Sequence, residues 1–462
     1  MAAELIVRGG TVVTVGGRRT ADVAVEGGRI SAVEERLPAS AEAREIDARG
    51  LLVLPGAVDV HTHTRVASDA SPDRFFQDSV AAAFGGTTTF LAFNNPGTGS
   101  PRTGSLTGDA RGWRTATEGD SAVDYGVSLV VTPQERDAVA ELPAAIDAGV
   151  PTFKAFMVYD FGVAEHALAA LLRAAAEHRG LLAVHCEDRH ALEANTAWLL
   201  AEGHTAPRFH ADSRPPVVEA TGTRRAIELA RAADAPLYVV HLTCAAALTE
   251  VRAALARHEQ VFAETCPDYL VLDSSRYELP DEQCACYVIS PPLRSPADRD
   301  ALWTGLADGG LSAVSTDHVP DNFADEKQTW RESFDKISNG SPGIETLLSV
   351  VYSEGVAKGR ITVERMVDLL STTPARLFGL ERKGTIEVGR DADLVLFDPG
   401  ERRTLTASEL HHTSDYTPFE GLALAGGVAS VLVRGEYVIR DGRFVGRRGY
   451  GQFQERRLAW RQ

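Results

Sequence analysis

The chain has 462 residues, of which 44% are hydrophobic and 24% are charged, and its formal net charge is -17. This composition is typical of a folded globular protein, and no apolar run is long enough to suggest a membrane span. The negative charge argues against nucleic acid as a partner, because affinity for phosphate backbones comes from clustered Lys and Arg.

The amino terminus gives no sign of a secretion signal. It reads MAAELIVRGGTVVTVGG and turns to glycine and polar residues before an apolar core of signal-peptide length can form. We therefore expect a cytoplasmic protein. Five cysteines without framework spacing predict reduced thiols. Cys284 and Cys286 form a CxC pattern, but no second pair at metal-ligand spacing accompanies it.

Short β-strands are predicted at both ends of the chain. In the first fifty residues, apolar runs alternate with turn signals in ELIVRGG, TVVTVGG, ADVAVEGGRI and SAVEERL. The carboxy-terminal part repeats this pattern in GTIEVGRDADLVLFD, VASVLVRGEYVIRDG and RFVGR. We predict that residues 1–54 and 384–462 together form one small β-sandwich domain.

Residues 55–383 show a different pattern, in which apolar strands alternate with alanine-rich helices that have apolar spacings of three and four. The predicted strands are LLVLPGAVDVH, TTTFLAF, YGVSLVVT, TFKAFMV, LLAVHCE, LYVVHLT, VFAETC and LSAVSTD. Eight such units predict a (β/α)₈ TIM barrel, and an open doubly wound sheet is the alternative. The segment SPRTGSLTGDARGW is predicted to be an exposed loop.

Metal-capable residues occur in or at the end of five predicted strands: His61 and His63, Lys154, His185, His241, and Asp317. In a parallel barrel the carboxyl ends of all strands open onto one face, so these side chains are expected to converge. Alternate residues of a strand point the same way, which lets His61 and His63 share an ion. The donors suit zinc, and we predict two divalent metal ions.

Lys154 is one of five lysines, against forty-two arginines, and it lies between apolar residues. Burial favours the uncharged amine. A neutral amine can add carbon dioxide and become a carbamate, whose two oxygens can bridge two metal ions. Such ions activate water and polarise a carbonyl, and Asp317 would carry the proton to the departing nitrogen.

Each of these features also has a purely structural interpretation. An HxH pair is common at a core edge, a lysine in a strand often lies at a sheet edge, and a lone histidine is often a satisfied core residue. Their joint placement at strand ends favours the metal site. The histidines on predicted helices or loops are expected to be solvated: His166, His178, His190, His204, His210, His258, His411 and His412.

The chain also resembles a family. The segments VDVHTHT, TFKAFMVY, VHCED, VVHLT, AETCPDYLVLD, ISPPLR, STDHVPDNF and KISNGSPGIE resemble the cyclic amidohydrolases of the amidohydrolase superfamily, especially hydantoinases and dihydropyrimidinases. The resemblance covers nearly the whole chain. It implies that an N6-carboxylated Lys154 bridges two zinc ions held by the four histidines and Asp317.

The same resemblance implies a substrate site and a reaction. Tyr159 would hold the substrate and stabilise the oxyanion, and the backbone of Ser290 and Asn339 would contact the ring amides. The implied reaction opens a hydantoin or dihydropyrimidine ring to an N-carbamoyl amino acid. Because family members are commonly tetramers, a homotetramer is expected.

Two segments depart from the hydantoinase pattern. HTHTR resembles the HxHxR of dihydroorotases, and FLAFNNP resembles their asparagine segment. Arg65 and Asn94 are therefore candidates to bind a substrate carboxylate, for which arginine offers a bidentate fork. Asp321, where dihydroorotases carry a histidine, would repel such an anion, and a structural salt bridge is the alternative for Arg65. A dihydroorotase-like or allantoinase-like substrate remains the second candidate.

Two other functional classes are weighed on the same residues. Collapsin-response mediator proteins resemble dihydropyrimidinases but have lost metal ligands and act as scaffolds, whereas every ligand position is filled in this chain. Mononuclear deaminases on the same barrel do not use a bridging lysine, so Lys154 argues against that class.

Overall fold

The computed structural model describes residues 3–40 and 42–459. The chain begins with five strands of a small sheet: β1 Leu5–Thr14, β2 Gly17–Glu26, β3 Arg29–Glu34, β4 Arg44–Asp47 and β5 Leu52–Pro55. The runs ELIVRGG and TVVTVGG, which the sequence suggests as two strands, are joined in β1. The pairing register of β1 with β2 shifts between Val7 and Gly10, so a bulge takes the place of the expected turn.

Eight parallel strands follow and are hydrogen-bonded in chain order: β6 Ala57–Thr62, β7 Thr87–Phe93, β8 Asp124–Val130, β9 Thr152–Phe156, β10 Leu181–His185, β11 Leu237–Val239, β12 Val261–Thr265 and β13 Ala313–Val314. The first and last strands approach each other just beyond their ends. A parallel bridge joins Thr62 to His318, and the His63 amide donates to the His318 carbonyl at 2.7 Å. The predicted barrel is confirmed.

The chain then returns to the small sheet with β14 Leu394–Thr404, β15 Ala423–Val433, β16 Glu436–Arg440 and β17 Arg443–Phe444. The nine strands form one continuous, mostly antiparallel sheet in which β14 pairs with β5. Val23 of β2 and Leu432 of β15 belong to one core cluster although three strands separate them, so the sheet curls over itself. A small domain built from both termini is confirmed, while boundaries after residues 54 and 383 stay predictions.

The predicted strand LLVLPGAVDVH is divided between the two domains. Strand β5 ends at Pro55 in the small sheet, and β6 starts at Ala57 in the barrel. Gly56 lies between them, and a Cβ there would be 2.0 Å from the Thr88 hydroxyl oxygen. Proline interrupts the ladder and glycine permits the close approach, which explains the division.

The α-helices are α1 Arg74–Phe84, α2 Leu106–Thr117, α3 Ala138–Asp147, α4 Glu165–Glu177, α5 Arg189–Ala201, α6 Phe209–Ser213, α7 Pro216–Ala232, α8 Ala245–Ala256, α9 Pro267–Val271, α10 Asp281–Ala285, α11 Pro296–Asp308, α12 Leu347–Val351, α13 Val363–Val367 and α14 Thr373–Leu377. Short 3₁₀ turns lie at Ser274–Glu278, Glu326–Arg331, Phe334–Lys336 and Ala407–Glu409, and π turns at Tyr352–Val356 and Asp368–Thr372. In the described part of the chain, no helix combines the length and apolarity that a bilayer crossing requires.

The predicted loop SPRTGSLTGDARGW is wrong over its second half, because α2 begins at Leu106. The Ser105 side chain accepts a hydrogen bond from the Gly108 amide and caps the helix. Leu106, Ala110 and Trp113, spaced by four and three, are buried. Two glycines lower the helix propensity of this segment, and they obscured its apolar period.

The barrel interior is apolar toward the amino ends of its strands. Its core cluster includes Val58, Leu91 and Tyr238, and it is closed by Phe378 and Leu458 from segments that follow the barrel. All five cysteines are free thiols, as predicted. With one end filled, chemistry is confined to the carboxyl ends of the strands.

Candidate active site

A cavity of about 350 Å³ opens at the carboxyl ends of the barrel strands. Its walls contain most of the predicted site residues, and the lining side chains are His63, Arg65, Asn95, Pro96, Thr98, Lys154, Tyr159, His241, Ser290, Asp317, Val319, Ser338 and Asn339. A larger cavity of about 570 Å³ lies near the opposite end and is lined by Thr372 and Arg457 among others. That cavity contains none of the predicted ligands, so size does not identify the site here.

Four of the predicted ligands form one cluster. Asp317 Oδ1 lies 2.9 Å from both His61 Nε2 and His63 Nε2, and these three residues form a group whose ligand atoms fall within 4.8 Å of one another. Lys154 Nζ is 2.6 Å from His61 Nε2. Strand β6 and its end supply both histidines, as the alternation rule predicts, while Lys154 comes from β9.

The remaining two predicted ligands form a pair beside this cluster. His185 Nδ1 lies 3.0 Å from His241 Nε2, and the His241 ring centroid is 5.5 Å from that of His61. The Nδ1 atom of His241 is buried and has no hydrogen-bond partner within residues 3–40 and 42–459. All six predicted ligands therefore face a common space, brought there by β6, β9, β10 and the segments that follow β11 and β13.

Two buried glutamates fix the histidine rings from behind. His61 Nδ1 donates to Glu264, and His185 Nε2 donates to Glu187 at 2.7 Å. Each contact sets the ring so that its other nitrogen faces the cavity with a lone pair, as metal-binding histidines require. The sequence analysis missed both residues. Glu264 lies in β12, and Glu187 follows His185 by two positions, so the strand-end rule that selected the ligands also points to them.

The protonation of the cluster also suits cation binding. Burial lowers the pKa of His63 to about 4 and that of His241 well below its ordinary value. Burial and the Lys154 amine oppose protonation of His61, but Asp317 and Glu264 outweigh them and raise its pKa. Burial alone would raise the pKa of Asp317, yet the two adjacent imidazoles hold it well below its usual range. The donors thus include neutral imidazoles and an ionised carboxylate.

Lys154 is buried and has no carboxylate within hydrogen-bonding distance among the described residues. Its amine lies 4.3 Å from the centroid of the Phe93 ring and 4.8 Å from that of Phe156. Burial lowers the pKa of Lys154 to about 8, against an ordinary value of 10.5. At pH 7 about a tenth of the amine is therefore uncharged, and only that form can add carbon dioxide.

Three site residues have strained backbone. Tyr159, His241 and Asp317 have φ angles of 71°, 37° and 50°, in the left-handed region that residues with a Cβ rarely adopt. Each such residue costs about 1 to 3 kcal/mol and persists only where the surroundings impose it. The barrel holds three cavity side chains in unfavourable conformations, which is typical of functional positions.

Tyr159 follows β9 and lines the cavity. Its hydroxyl is 3.5 Å from Arg214 Nη1, and the same guanidinium nitrogen pairs with Glu187 at 2.5 Å. Burial raises the pKa of Tyr159, although Arg214 opposes this, so the phenol stays protonated and can donate a hydrogen bond. Arg214 was not predicted as a site residue. It connects Tyr159 to the glutamate that orients His185.

Ser290 and Asn339 lie together on the cavity wall. The Ser290 hydroxyl donates to Asn339 Oδ1 at 3.0 Å, and both residues line the cavity. The structure therefore brings both predicted ring contacts together, although they are 49 positions apart in the sequence.

The two candidate carboxylate ligands are placed differently. Arg65 lines the cavity, but its guanidinium is paired with Asp321 and, at 2.5 Å, with Glu326. Asn94 is fully buried outside the lining, and its Oδ1 accepts a hydrogen bond from the Val130 amide at 2.7 Å. Since Arg65 is paired with two carboxylates and Asn94 lies outside the cavity lining, this geometry favours structural roles for both.

The prediction of solvated histidines is wrong at two positions. His210 is buried and its Nε2 bonds the Ile289 carbonyl at 2.9 Å, and His412 is also buried. His210 follows a helix-like polar stretch in the sequence, but its neighbour Phe209 packs in a cluster with Val288, directly before the ISPPLR segment. Tertiary packing there overrides the polar local context. His166, His178, His190 and His258 are exposed as expected.

Comparisons with known proteins agree with this geometry. The Amidohydrolase family profile matches residues 52–438. The D-hydantoinase of Geobacillus stearothermophilus is 41% identical over 457 residues, covering 98% of this chain and 96% of the relative. A D-phenylhydantoinase of Escherichia coli is 37% identical over 458 residues, covering 98% of both.

Solved structures give the same result. The dihydropyrimidinase of Brevibacillus agri NCHU1002 superposes with a TM-score of 0.94 at 41% identity, covering 99% of this chain and 100% of that one. The L-hydantoinase (dihydropyrimidinase) of Arthrobacter aurescens superposes with a TM-score of 0.90 at 28% identity, covering 98% and 100%.

Proposed function

The chain belongs to the amidohydrolase family, and from this membership and its site we propose that it is a metal-dependent hydrolase of cyclic amides. The reaction opens the ring of a hydantoin or a dihydropyrimidine and gives an N-carbamoyl amino acid. The names of its relatives, D-hydantoinase and dihydropyrimidinase, support this substrate class.

One observation carries the proposal. Six side chains from five parts of the barrel come together at one cavity, which four of them line, and one of the six is a buried lysine with no carboxylate partner in the described part of the chain. A scaffold protein gains nothing from such a cluster, because buried polar groups without full pairing cost stability. The arrangement is explained if the cluster holds cations.

The donor set fits two divalent metal ions, most simply Zn²⁺. The residues that would hold them are His61, His63, Lys154 in its N6-carboxylated form, His185, His241 and Asp317. A buried ring nitrogen of His241, Nδ1, has no partner among the described residues, so it could bind a metal ion. Buried glutamates orient the rings of His61 and His185, as carboxylates commonly do for histidines that bind zinc. When bound, such ions acidify a water molecule and polarise the ring carbonyl.

The chain's own residues bind the ring and move the proton. Asp317, which faces the cavity, takes the proton of the attacking water and delivers it to the ring nitrogen as the C–N bond breaks. The Tyr159 hydroxyl donates to the carbonyl oxygen as negative charge develops there. The backbone at Ser290 and Asn339 orients the ring amides. Direct attack by water needs no covalent intermediate on the protein.

The pairing of Arg65 favours a ring without a carboxylate. Asp321 and Glu326 already occupy its guanidinium, and Arg74 contacts Glu326 at 3.2 Å, so the four charges balance. A substrate anion would have to displace a carboxylate from Arg65 to bind there. A dihydroorotate-like substrate is therefore less suited to this wall than a neutral hydantoin or dihydropyrimidine.

The proposal is tested by metal analysis and a substrate panel. The purified protein is expected to contain about two metal ions per chain and to open hydantoin or dihydrouracil. Ring opening is measured as a loss of ultraviolet absorbance. The panel also includes 5-substituted hydantoins, allantoin and dihydroorotate. A metal-loaded protein that opens none of these rings would contradict the proposed function.

Arg65→Met separates the neutral from the carboxylated substrate class. If Arg65 serves Asp321 and Glu326, the ratio of kcat/KM for hydantoin to that for dihydroorotate changes less than about threefold. A matched control combines Arg65→Met with Asp321→Asn, because it removes the buried carboxylate charge that the single variant leaves without its partner. A selective loss on dihydroorotate in both variants would instead assign the carboxylate to Arg65.

We also propose a homotetramer, as the resemblance to the cyclic amidohydrolases implies. Light scattering on the purified protein measures the assembly directly. A monomer at micromolar concentration would exclude it.

A further inference from the structure

A third buried lysine, besides Lys154 and Lys383, lies beside the segments that carry Ser290 and Asn339. Lys327 lies in the 3₁₀ turn Glu326–Arg331 and its side chain is fully buried. Its amine donates to the Val288 carbonyl at 3.0 Å and to the Ser338 carbonyl at 2.9 Å. The third face of the amine is turned toward the Tyr416 ring, 5.9 Å away. One cation thus joins two segments that are fifty residues apart in the sequence.

These two segments are the ones that carry the proposed ring contacts. Val288 precedes Ser290 by two residues, and Ser338 directly precedes Asn339. The Val288 carbonyl also accepts from the Gly340 amide at 3.2 Å, and the Ser290 hydroxyl donates to Asn339. Lys327 therefore contacts the segments of Ser290 and Asn339 through their backbone carbonyls, and it does not line the cavity itself.

A buried lysine is a costly way to join two loops. Burial lowers the pKa of Lys327 to about 8, which means that the protein penalises its charge. Two carbonyl oxygens pointing at one position would repel each other without a donor between them, and the Gly340 amide would still satisfy the Val288 carbonyl but not that of Ser338. The Lys327 amine is thus needed to hold the Val288 and Ser338 carbonyls toward the same point.

We propose that Lys327 is a positioning residue for substrate binding, which sets the spacing between the Ser290 and Asn339 segments so that both reach the ring amides. This inference rests on the proposed function, because it assigns those two segments to the substrate. It makes Lys327 a determinant of substrate affinity, whereas the metal-capable cluster determines the rate of the chemical step.

The test is Lys327→Met, which keeps an unbranched side chain one atom shorter than lysine and removes the amine donors. We expect KM for hydantoin to rise at least tenfold, kcat to change less than threefold, and the metal content to equal that of the unaltered protein. Loss of general structure would instead lower kcat and metal content together. An unchanged KM in a folded, metal-loaded variant would overturn the proposal.

Two matched lysine variants separate this role from stability. Lys336→Met removes an exposed lysine next to the same segment, where the amine pairs only with Glu332. Lys383→Met removes a buried lysine at the other end of the barrel. Both should keep the KM of the unaltered protein. A tenfold rise of KM in either of them would overturn a specific role for Lys327.

A second substitution covers the case in which Lys327→Met does not fold. The amide of Lys327→Gln is shorter than the lysine and reaches one carbonyl at most, so KM should rise at least threefold. An unchanged KM in this variant would also overturn the proposal. The proposed function fails by a different result, namely an unaltered, metal-loaded protein that opens no ring in the panel.

Discussion

The two ends of the barrel each bury a lysine, and they treat it in opposite ways. At the carboxyl end, Lys154 has aromatic rings and a histidine around its amine, and burial lowers its pKa to about 8. At the amino end, Lys383 contacts Asp124, Asp391 and Asp393 at 2.5, 3.0 and 2.8 Å. Burial opposes its charge too, but the three carboxylates raise its pKa above the ordinary value.

The difference shows that burial alone does not decide what a lysine does. Asp124 starts a barrel strand, and Asp391 and Asp393 precede a strand of the small sheet, so the charged Lys383 joins the two domains. Arg434 adds a second cation on Asp124. Lys154 lacks such partners and keeps a reactive amine. The contacts of Lys383 indicate a structural role, whereas the proposed role of Lys154 is chemical, and the substitutions below test this contrast.

The largest effect is expected at Lys154. Lys154→Ala removes the group proposed to bridge the metal ions, so kcat/KM should fall by about a thousandfold or more and the metal content should fall with it. Because a carbamate is in effect a tethered carboxylate, propionate added to the Lys154→Ala variant should restore part of both. Propylamine serves as the control. Rescue by the amine and not by the acid would show that the lysine acts unmodified.

Tyr159→Phe should impair the reaction without disturbing the metal cluster. Loss of one preorganised donor to a developing oxyanion typically costs about 10²- to 10³-fold in kcat. Metal content and thermal stability should stay unchanged, since the Tyr159 hydroxyl contacts Arg214 only at 3.5 Å. A loss of metal in this variant would instead place Tyr159 among the groups that hold the site together.

Lys383→Met should destabilise the protein and leave its chemistry intact. Removing one partner of a buried ion cluster costs about 3 to 5 kcal/mol, because the carboxylates stay buried without their cation. Thermal unfolding should occur at a clearly lower temperature, while kcat/KM per folded chain stays the same. Lys358→Met is the control, because that amine is half exposed and pairs only with Glu354. A stable Lys383→Met variant would contradict the structural role.

The pH dependence of this destabilisation follows from the signs of the shifts. The raised pKa of Lys383 contributes stability below its ordinary 10.5, and this is lost as pH rises through the folded value. The lowered pKa of Asp124 contributes stability above its ordinary 3.8, and this is lost as pH falls through the folded value. The difference in melting temperature between variant and unaltered protein should therefore be largest between these limits.

The sequence predicts the barrel, the small terminal domain and all six metal-capable residues, for a physical reason. Parallel strands must end on one face, and ligands such as His185 and Asp317 stand where predicted strands stop. The rule needs only the strand pattern. It would also have selected Glu264 in β12, had carboxylates been examined as partners of the histidines.

What the sequence did not reveal depends on packing over long distances. Arg214 and Lys327 lie in irregular segments whose apolar residues show no helix or strand period. Only the folded chain shows that Arg214 contacts Glu187 and that Lys327 contacts the Ser338 carbonyl. The left-handed backbone of Asp317 is not predictable from residue type either, because most aspartates do not adopt it although the type is enriched there. One clue was available, because three of only five lysines are buried, and the scarcity that drew attention to Lys154 applied equally to Lys327 and Lys383.

The smallest effect concerns the charge of Lys154 itself. Protein freed of metal and carbon dioxide is incubated with metal ions and a fixed concentration of dissolved carbon dioxide, and the rate at which activity returns is measured between about pH 6.5 and 9.5. Only the neutral amine reacts. With a pKa of about 8, the rate should rise about tenfold per pH unit below that value and level off above it. A lysine at its ordinary pKa of 10.5 would give a rate that still rises at pH 9.5. Such a curve would show that burial does not lower the pKa of Lys154, and the proposed difference between Lys154 and Lys383 would be wrong.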